Sequence, residues 1–222
     1  MKKIEFELSS TLYEQSLIPI RRKYDLLELL SHTIKFLVSS PIPKTAPERD
    51  EKNEKKLVLY IDKMSRLLFC AEDKIFTFNF PLQVDMPGDR AEGRLSLRYK
   101  DFLQIDSMAS SLLLSIFSQR EIFEGPLESI GERIFQEIID NEWEGMDYEG
   151  LSELIKHFIF FEPGYLRYDH DPKNANGKLH PEHHLDIFFS SSNTMKVGLQ
   201  SKIDKDWMLD LLDINTNCRY IS

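Results

Sequence analysis

The sequence is poor in cysteine, in long apolar runs and in positive charge, and each shortage argues against a class of protein. Only two of its 222 residues are cysteines, Cys70 and Cys218, so we expect a reducing compartment and no disulfide framework. No run approaches the roughly eighteen apolar residues that a membrane-spanning helix needs. The formal net charge of −9 at pH 7 argues against extensive nucleic-acid binding, which draws on many lysine and arginine contacts to phosphate.

Familiar catalytic motifs are also missing. The sequence has no HExxH zinc motif, no closely spaced cysteine pair, no glycine-rich phosphate loop, no nucleophile elbow and no kinase signature. The N-terminal segment MKKIEFELSS is basic but lacks the apolar stretch of a signal peptide. We therefore expect a cytoplasmic protein with a protein or small-molecule partner. A nuclease whose carboxylates hold a metal ion is still compatible with the composition.

The residues that are present predict an α+β fold. Hydrophobic residues make up 41% of the chain and charged residues 29%, as is usual for a globular protein. Short segments rich in Val, Leu, Ile and Phe at 57–61, 66–70 and 75–80 predict a β-meander. Helical periodicity before and after them predicts that helices pack on this antiparallel sheet.

The chain also suggests a division into three parts. Residues 1–38 read as an N-terminal helical arm, and residues 57–222 as an α+β body. Between them, residues 39–56 hold three prolines, many charges and no apolar periodicity, which predicts an exposed linker. We expect one domain overall. A helix predicted over 127–143 has one apolar and one acidic face, and the acidic face is either solvated or in contact with a partner.

The stretch from Gly164 to Leu199 concentrates the polar chemistry, since four of the six histidines lie between His170 and His184. Strands are predicted over 165–169, 184–189 and 195–199. Alternation along paired strands would place five polar side chains on one face of the sheet. They are Arg167, Asp169, His184, Asp186 and Lys196.

Three interpretations of this stretch stay open. A divalent metal ion, which the sequence allows but does not require, could be held by His180, His183, His184 and Asp186 with Asp169 or Asp171. Acid–base chemistry could use clustered titratable groups. Its candidate catalytic residues are Arg167, Asp169, His180, His184 and Asp186. Finally, the same residues could form a structural network of cross-strand pairs.

A resemblance enters on two motifs in this stretch. The first motif is Tyr165-Leu166-Arg167-Tyr168-Asp169, and the second is His180-Pro181-x-x-His184-Leu185-x-Ile187, followed by a short strand and a terminal helix. In this order the motifs resemble a family of uncharacterised bacterial proteins that share a domain of unknown function. The likeness covers mainly the C-terminal third. It implies a bacterial, cytoplasmic protein, and such families often lie in mobile or antiviral loci. It also points to Arg167, Asp169, His180 and His184 as the positions to test.

Together these observations lead to two functional expectations. The first is a protein-binding or regulatory component, for example of an antiviral defence or toxin-related assembly, whose acidic helix and proline-rich arm contact a protein partner. The second is a metal-dependent nuclease or other hydrolase that uses the His/Asp/Arg cluster on the C-terminal sheet. We expect no membrane association for either.

Overall fold

The computed structural model describes residues 2–43, 55–61, 65–86, 93–126, 129–143, 145–190 and 194–218. Within these ranges the chain forms strands and helices in the proportions of an α+β protein, as predicted. The strands are β1 (Lys2–Glu7), β2 (Lys56–Ile61), β3 (Arg66–Ala71), β4 (Lys74–Asn79), β5 (Gln83–Asp85), β6 (Ser96–Tyr99), β7 (Leu103–Ile105), β8 (Leu166–His170), β9 (His183–Ile187) and β10 (Met195–Gly198). The α-helices are α1 (Ser10–Leu17), α2 (Lys23–Ser39), α3 (Ser107–Phe117), α4 (Ser129–Asp140), α5 (Tyr148–Phe160) and α6 (Lys205–Leu212).

The main sheet has seven strands in the order β1-β2-β3-β4-β8-β9-β10, and every neighbouring pair is antiparallel. The predicted meander β2–β4 is confirmed, and β8–β10 form a second meander that joins the sheet beside β4. A separate three-stranded sheet contains β5, β6 and β7. Strands β5 and β7 are each three residues long and too short to show alternation in the sequence.

Both faces of the main sheet carry apolar cores. On one face, Phe69 stacks on Phe76 with ring centroids 4.8 Å apart, beneath a helical layer that includes α2, α3 and α5. On the other face, Met208 of α6 belongs to a smaller core with Tyr168 and Leu185, so the last helix covers this side of the sheet.

The N-terminal segment builds part of the main core. Strand β1 pairs with β2 along its whole length, from Lys2 opposite Ile61 to Glu7 opposite Lys56. Helix α2 buries a row of leucine and isoleucine side chains in the same core. Of the predicted linker, residues 44–54 lie outside the described residues. The boundaries drawn around the arm, linker and body stay predictions.

Local backbone geometry sets where several elements end. Asp106 caps α3 by accepting a hydrogen bond from the Ala109 N–H at 2.8 Å. Helix α4 ends earlier than predicted, at Asp140, and Glu142 then adopts a left-handed conformation with φ +53°. Strand β9 likewise stops at Ile187 rather than Phe189, because Phe188 has φ +68°.

One further property bears on location. In the ranges that the structure describes, no helix combines the length and the apolar character needed to cross a membrane.

Candidate functional site

The strands β8, β9 and β10 bring the five predicted polar residues onto one face of the sheet. In the β8/β9 register, Arg167 lies opposite Asp186 and Asp169 lies opposite His184. In the β9/β10 register, Lys196 also lies opposite Asp186. Because side chains alternate along each strand, these pairings place all five on the same side, as the sequence predicted. We call this group the polar network.

The Arg167 guanidinium joins the two carboxylates of the polar network. Its Nε donates to Asp169 Oδ2 at 2.7 Å, and its Nη2 donates to Asp186 Oδ2. Asp186 is only 4% exposed, so its charge depends on this partner. Burial opposes the charge on Arg167, but Tyr165, Asp169 and Asp186 outweigh burial and raise the pKa of the guanidinium above its usual value.

His184 is buried at the centre of the network with both ring nitrogens occupied. Nδ1 lies 2.9 Å from the Pro181 carbonyl oxygen, to which it donates. Nε2 is then an acceptor, and the Lys196 ammonium donates to it at 3.0 Å. Lys196 also lies 3.4 Å from Asp186 Oδ1. The ring is therefore held in one orientation and in one tautomer.

His180 lies beside the network rather than within it. Its Nε2 is 3.2 Å from Asp171 Oδ2 in the loop between β8 and β9. Its ring meets that of His184 edge-on, with centroids 4.8 Å apart. The structure thus brings His180 close to the other candidate residues, but it contacts them through a ring edge and not through a hydrogen bond.

This face has two further members: Tyr165, which alternation along the strand already places beside Arg167 and Asp169, and Lys74, which the sequence pattern did not predict. Lys74, the first residue of β4, lies opposite Asp169 and donates to the Ser16 carbonyl oxygen at 3.1 Å. Burial, reinforced by the charge of Arg167 and opposed by Asp169, lowers the pKa of Lys74 to about 8. Burial raises the pKa of the Tyr165 hydroxyl to about 12. Alternation with Phe76 was the available signal for Lys74, but β4 and β8 are distant in the chain.

The cations of the polar network occupy most of its acceptor atoms, although the buried Asp186 Oδ1 and the Tyr165 hydroxyl have no hydrogen-bond partner among the described residues. Asp169, His184 and Asp186 each offer a ligand atom within 4.8 Å of the others, which is compatible in distance with a metal ion. However, Arg167 already binds both carboxylates and Lys196 occupies His184 Nε2. A metal ion would have to displace two cations. The geometry agrees best with the structural interpretation, and the catalytic roles of these residues stay predictions.

A second group of chemical interest lies at the end of the same strands on the opposite face. His170 and His183 are directly paired in the β8/β9 register, and their rings stack with centroids 4.8 Å apart. Glu182 Oε1 lies 3.1 Å from His170 Nε2 and 3.9 Å from His183 Nε2. We call His170, Glu182 and His183 the imidazole–carboxylate group. Of these three residues, the sequence pattern pointed only to His183 as a candidate metal ligand, and together with His180, His184 and Asp186 rather than with His170 and Glu182.

A third feature is an apolar groove along α4. It encloses about 990 Å³, and we call it the α4 groove. It is lined by Phe135, Ile138, Ile139, Glu142, Trp143, Gly145, Met146 and Tyr148. Phe135 and Ile139 are 58% and 52% exposed, although the opposite side of α4 buries Ile130 and Ile134 in the main core.

Known proteins add no assignment to these sites. No protein-family model, curated protein or solved structure matches the chain. The resemblance to uncharacterised bacterial proteins therefore stays a prediction.

Proposed function

We propose that this protein is a binding or regulatory component that docks a protein partner in the α4 groove. The observation that carries the proposal is the pair Phe135 and Ile139, two large apolar side chains more than half exposed on the edge of a cavity. Exposed apolar surface collected in one place is typical of an interaction site. A role in a bacterial, cytoplasmic antiviral or toxin-related assembly belongs to this proposal and is supported by the resemblance alone.

The charges around the α4 groove identify the partner chemistry. Its exposed acidic neighbours in the sequence are Glu132, Asp140, Glu142, Asp147 and Glu149. The one basic residue of α4, Arg133, points its guanidinium toward Gln119 of the segment after α3, at 3.5 Å. An apolar groove that is lined by Glu142 and has further exposed carboxylates nearby in the sequence is complementary to a helix with an apolar stripe between basic residues. We therefore propose a basic amphipathic helix as the occupant.

The alternative function is a metal-dependent nuclease or other hydrolase centred on the polar network. It has weaker support, because the guanidinium and ammonium groups of Arg167 and Lys196 already neutralise the carboxylates that would hold the metal.

Binding of model helices to the full chain tests the proposed function. The probe is a fluorescent 18-residue helix of leucine and lysine, compared with the same helix carrying glutamate in place of lysine. We expect saturable binding of the lysine helix only. The double substitution Phe135→Ser, Ile139→Ser should weaken it by about tenfold or more, since each half-exposed side chain has roughly 1 kcal/mol of burial left to contribute.

A matched control uses Phe160→Ser and Leu179→Ser, which remove side chains that are 68% and 84% exposed outside the groove. These substitutions should leave the affinity unchanged. Equal binding of both helices, or equal losses in both double variants, would contradict the proposal. Self-association of the chain through Phe135 and Ile139, measured by sedimentation, would identify a second copy as the occupant and also overturn it.

A further inference from the structure

The imidazole–carboxylate group is held in place by backbone hydrogen bonds from three segments. The His170 N–H donates to the Asp73 carbonyl oxygen at 2.9 Å, which ties β8 to the turn between β3 and β4. The Asp171 N–H donates to the Glu182 carbonyl oxygen at 2.8 Å. The Leu199 N–H donates to the His183 carbonyl oxygen, also at 2.8 Å. The side chains therefore project from a paired and rigid sheet end rather than from a free loop.

Both ring nitrogens of His170 face a carboxylate oxygen. Its Nδ1 lies 3.1 Å from Asp73 Oδ1, and its Nε2 lies 3.1 Å from Glu182 Oε1. Both carboxylate oxygens are acceptors, whereas a neutral imidazole carries only one N–H. One nitrogen of a neutral ring would thus face a carboxylate without a proton between them. Either a second ring proton or a metal cation between Nε2 and Glu182 satisfies both groups.

The outer contact of His170 orients its ring for such a cation, whereas His183 stacks on His170 at an interplanar angle of 20° and must turn for its Nε2 to reach the same ion. With Nδ1–H of His170 donating to Asp73, its Nε2 lone pair is directed toward Glu182. His183 Nδ1 lies 2.9 Å from the Tyr168 hydroxyl, whose oxygen can accept the Nδ1–H and leave Nε2 unprotonated. A carboxylate behind a ligating histidine, as Asp73 lies behind His170, is a usual outer arrangement of metal centres in proteins.

We propose that His170, Glu182 and His183 form a binding site for a divalent transition metal ion of the zinc class. One ligand atom from each residue lies within 4.8 Å of the others. Zinc bonds of about 2.0–2.2 Å to nitrogen and oxygen require ligand atoms roughly 3.3–3.5 Å apart, so the His183 ring must rotate out of its stack on His170 to complete the site. Two imidazoles and one carboxylate leave a coordination position open for water or a substrate atom.

Exposure and charge agree with this assignment. The side chains of His170 and His183 are 24% and 18% exposed and that of Glu182 is 51% exposed, so an ion can enter from solvent. The nearby carboxylates of Asp73 and Glu182 make the surroundings negative. The polar network on the other face is less suited to a metal ion, because Arg167 and Lys196 already pair with its carboxylates.

Titration of the metal-free full chain with Zn²⁺ by calorimetry, and with Co²⁺ by visible absorption, tests the proposal. We expect one saturable site per chain and a Co²⁺ absorption spectrum typical of an ion coordinated by fewer than six ligands. His170→Gln and Glu182→Gln should each weaken Zn²⁺ binding by more than about 100-fold, exceeding the roughly 10–100-fold effect of losing an outer-shell partner. Asp73→Asn, which alters such a partner, should fall within that smaller range.

The matched control is His157→Gln, which removes an exposed histidine of α5 and should bind Zn²⁺ like the unaltered chain. Circular dichroism of each metal-free variant checks that it is folded. Glu182→Gln serves as the second ligand variant, because its side chain is half exposed and its loss should not disturb folding. Absence of saturable Zn²⁺ and Co²⁺ binding, or equal affinity in folded His170→Gln and His157→Gln, would overturn the site.

Discussion

Arg167→Met is the sharpest test of how the polar network stabilises the fold. The substitution keeps an apolar stem of similar length but removes the cation that binds both Asp169 and Asp186. Asp186 has a side chain only 6% exposed, and its remaining cation is Lys196 at 3.4 Å. Breaking a buried ion pair costs roughly 3–5 kcal/mol. We expect about 3 kcal/mol, the lower end, because Lys196 still neutralises part of the charge.

Urea unfolding followed by tryptophan fluorescence and circular dichroism measures this loss. The matched control is Arg98→Met, which breaks a more exposed pair with Asp85 whose side chains are 33% and 45% exposed. This control should lose no more than about 1 kcal/mol. A loss at Arg167 no larger than the loss at Arg98 would refute the reasoning from burial.

A double-mutant cycle separates the ion pair from packing. Arg167→Met leaves the buried Asp186 carboxylate without its arginine partner, and adding Asp186→Leu removes that carboxylate. The double variant should therefore be less destabilised than the sum of the two single variants, by roughly 1–3 kcal/mol. Strict additivity would show that the guanidinium and the carboxylate do not act as a unit.

Three further predictions concern stability, the first two measured by the same urea unfolding and the third by thermal unfolding. The pKa of Lys74 is lowered from 10.5 to about 8, so the folded chain releases this proton at a lower pH than the unfolded chain, and the free energy of unfolding rises with pH between these two values. Lys74→Met should remove about 1–2 kcal/mol of that rise between pH 8 and 9.5. An unchanged dependence of stability on pH in this variant would contradict the prediction. Asp106→Ala removes the cap of α3 and should cost about 1 kcal/mol. Gly164 and Gly177 both have φ +51°, but a Cβ at Gly164 would lie 3.1 Å from the Asn79 amide while one at Gly177 meets nothing within 4 Å; Gly164→Ala should therefore lower Tm more than Gly177→Ala, and equal shifts would rule out the contact.

Alternation along single strands was enough to predict part of the site. It placed Arg167, Asp169, His184, Asp186 and Lys196 on one face, and the strand registers confirm this. The prediction worked because side-chain direction in a strand repeats every two residues. Alternation does not describe loops. His180 was therefore grouped with the polar network, although it contacts the network only where its ring meets the ring of His184 edge-on.

The imidazole–carboxylate group shows what single-strand patterns cannot predict. Asp73 lies 97 positions before His170 in the chain, and Glu182 lies just outside a strand. No local period connects them. Their proximity follows from β8 pairing with β4, which brings the turn before β4 beside the end of β8.

The sequence by itself determined the fold class, the meander β2–β4, most helices and the orientation of side chains on β8, β9 and β10, because each follows from local periodicity and capping. Only the tertiary structure decided that β8 joins β4, that β1 completes the sheet beside β2, and that two separate groups of histidines lie on opposite faces of one sheet end. Strand pairing between distant segments depends on how the whole core packs. The polar network and the imidazole–carboxylate group therefore share one stretch of sequence but face different surroundings, one closed by its own cations and one open to an ion.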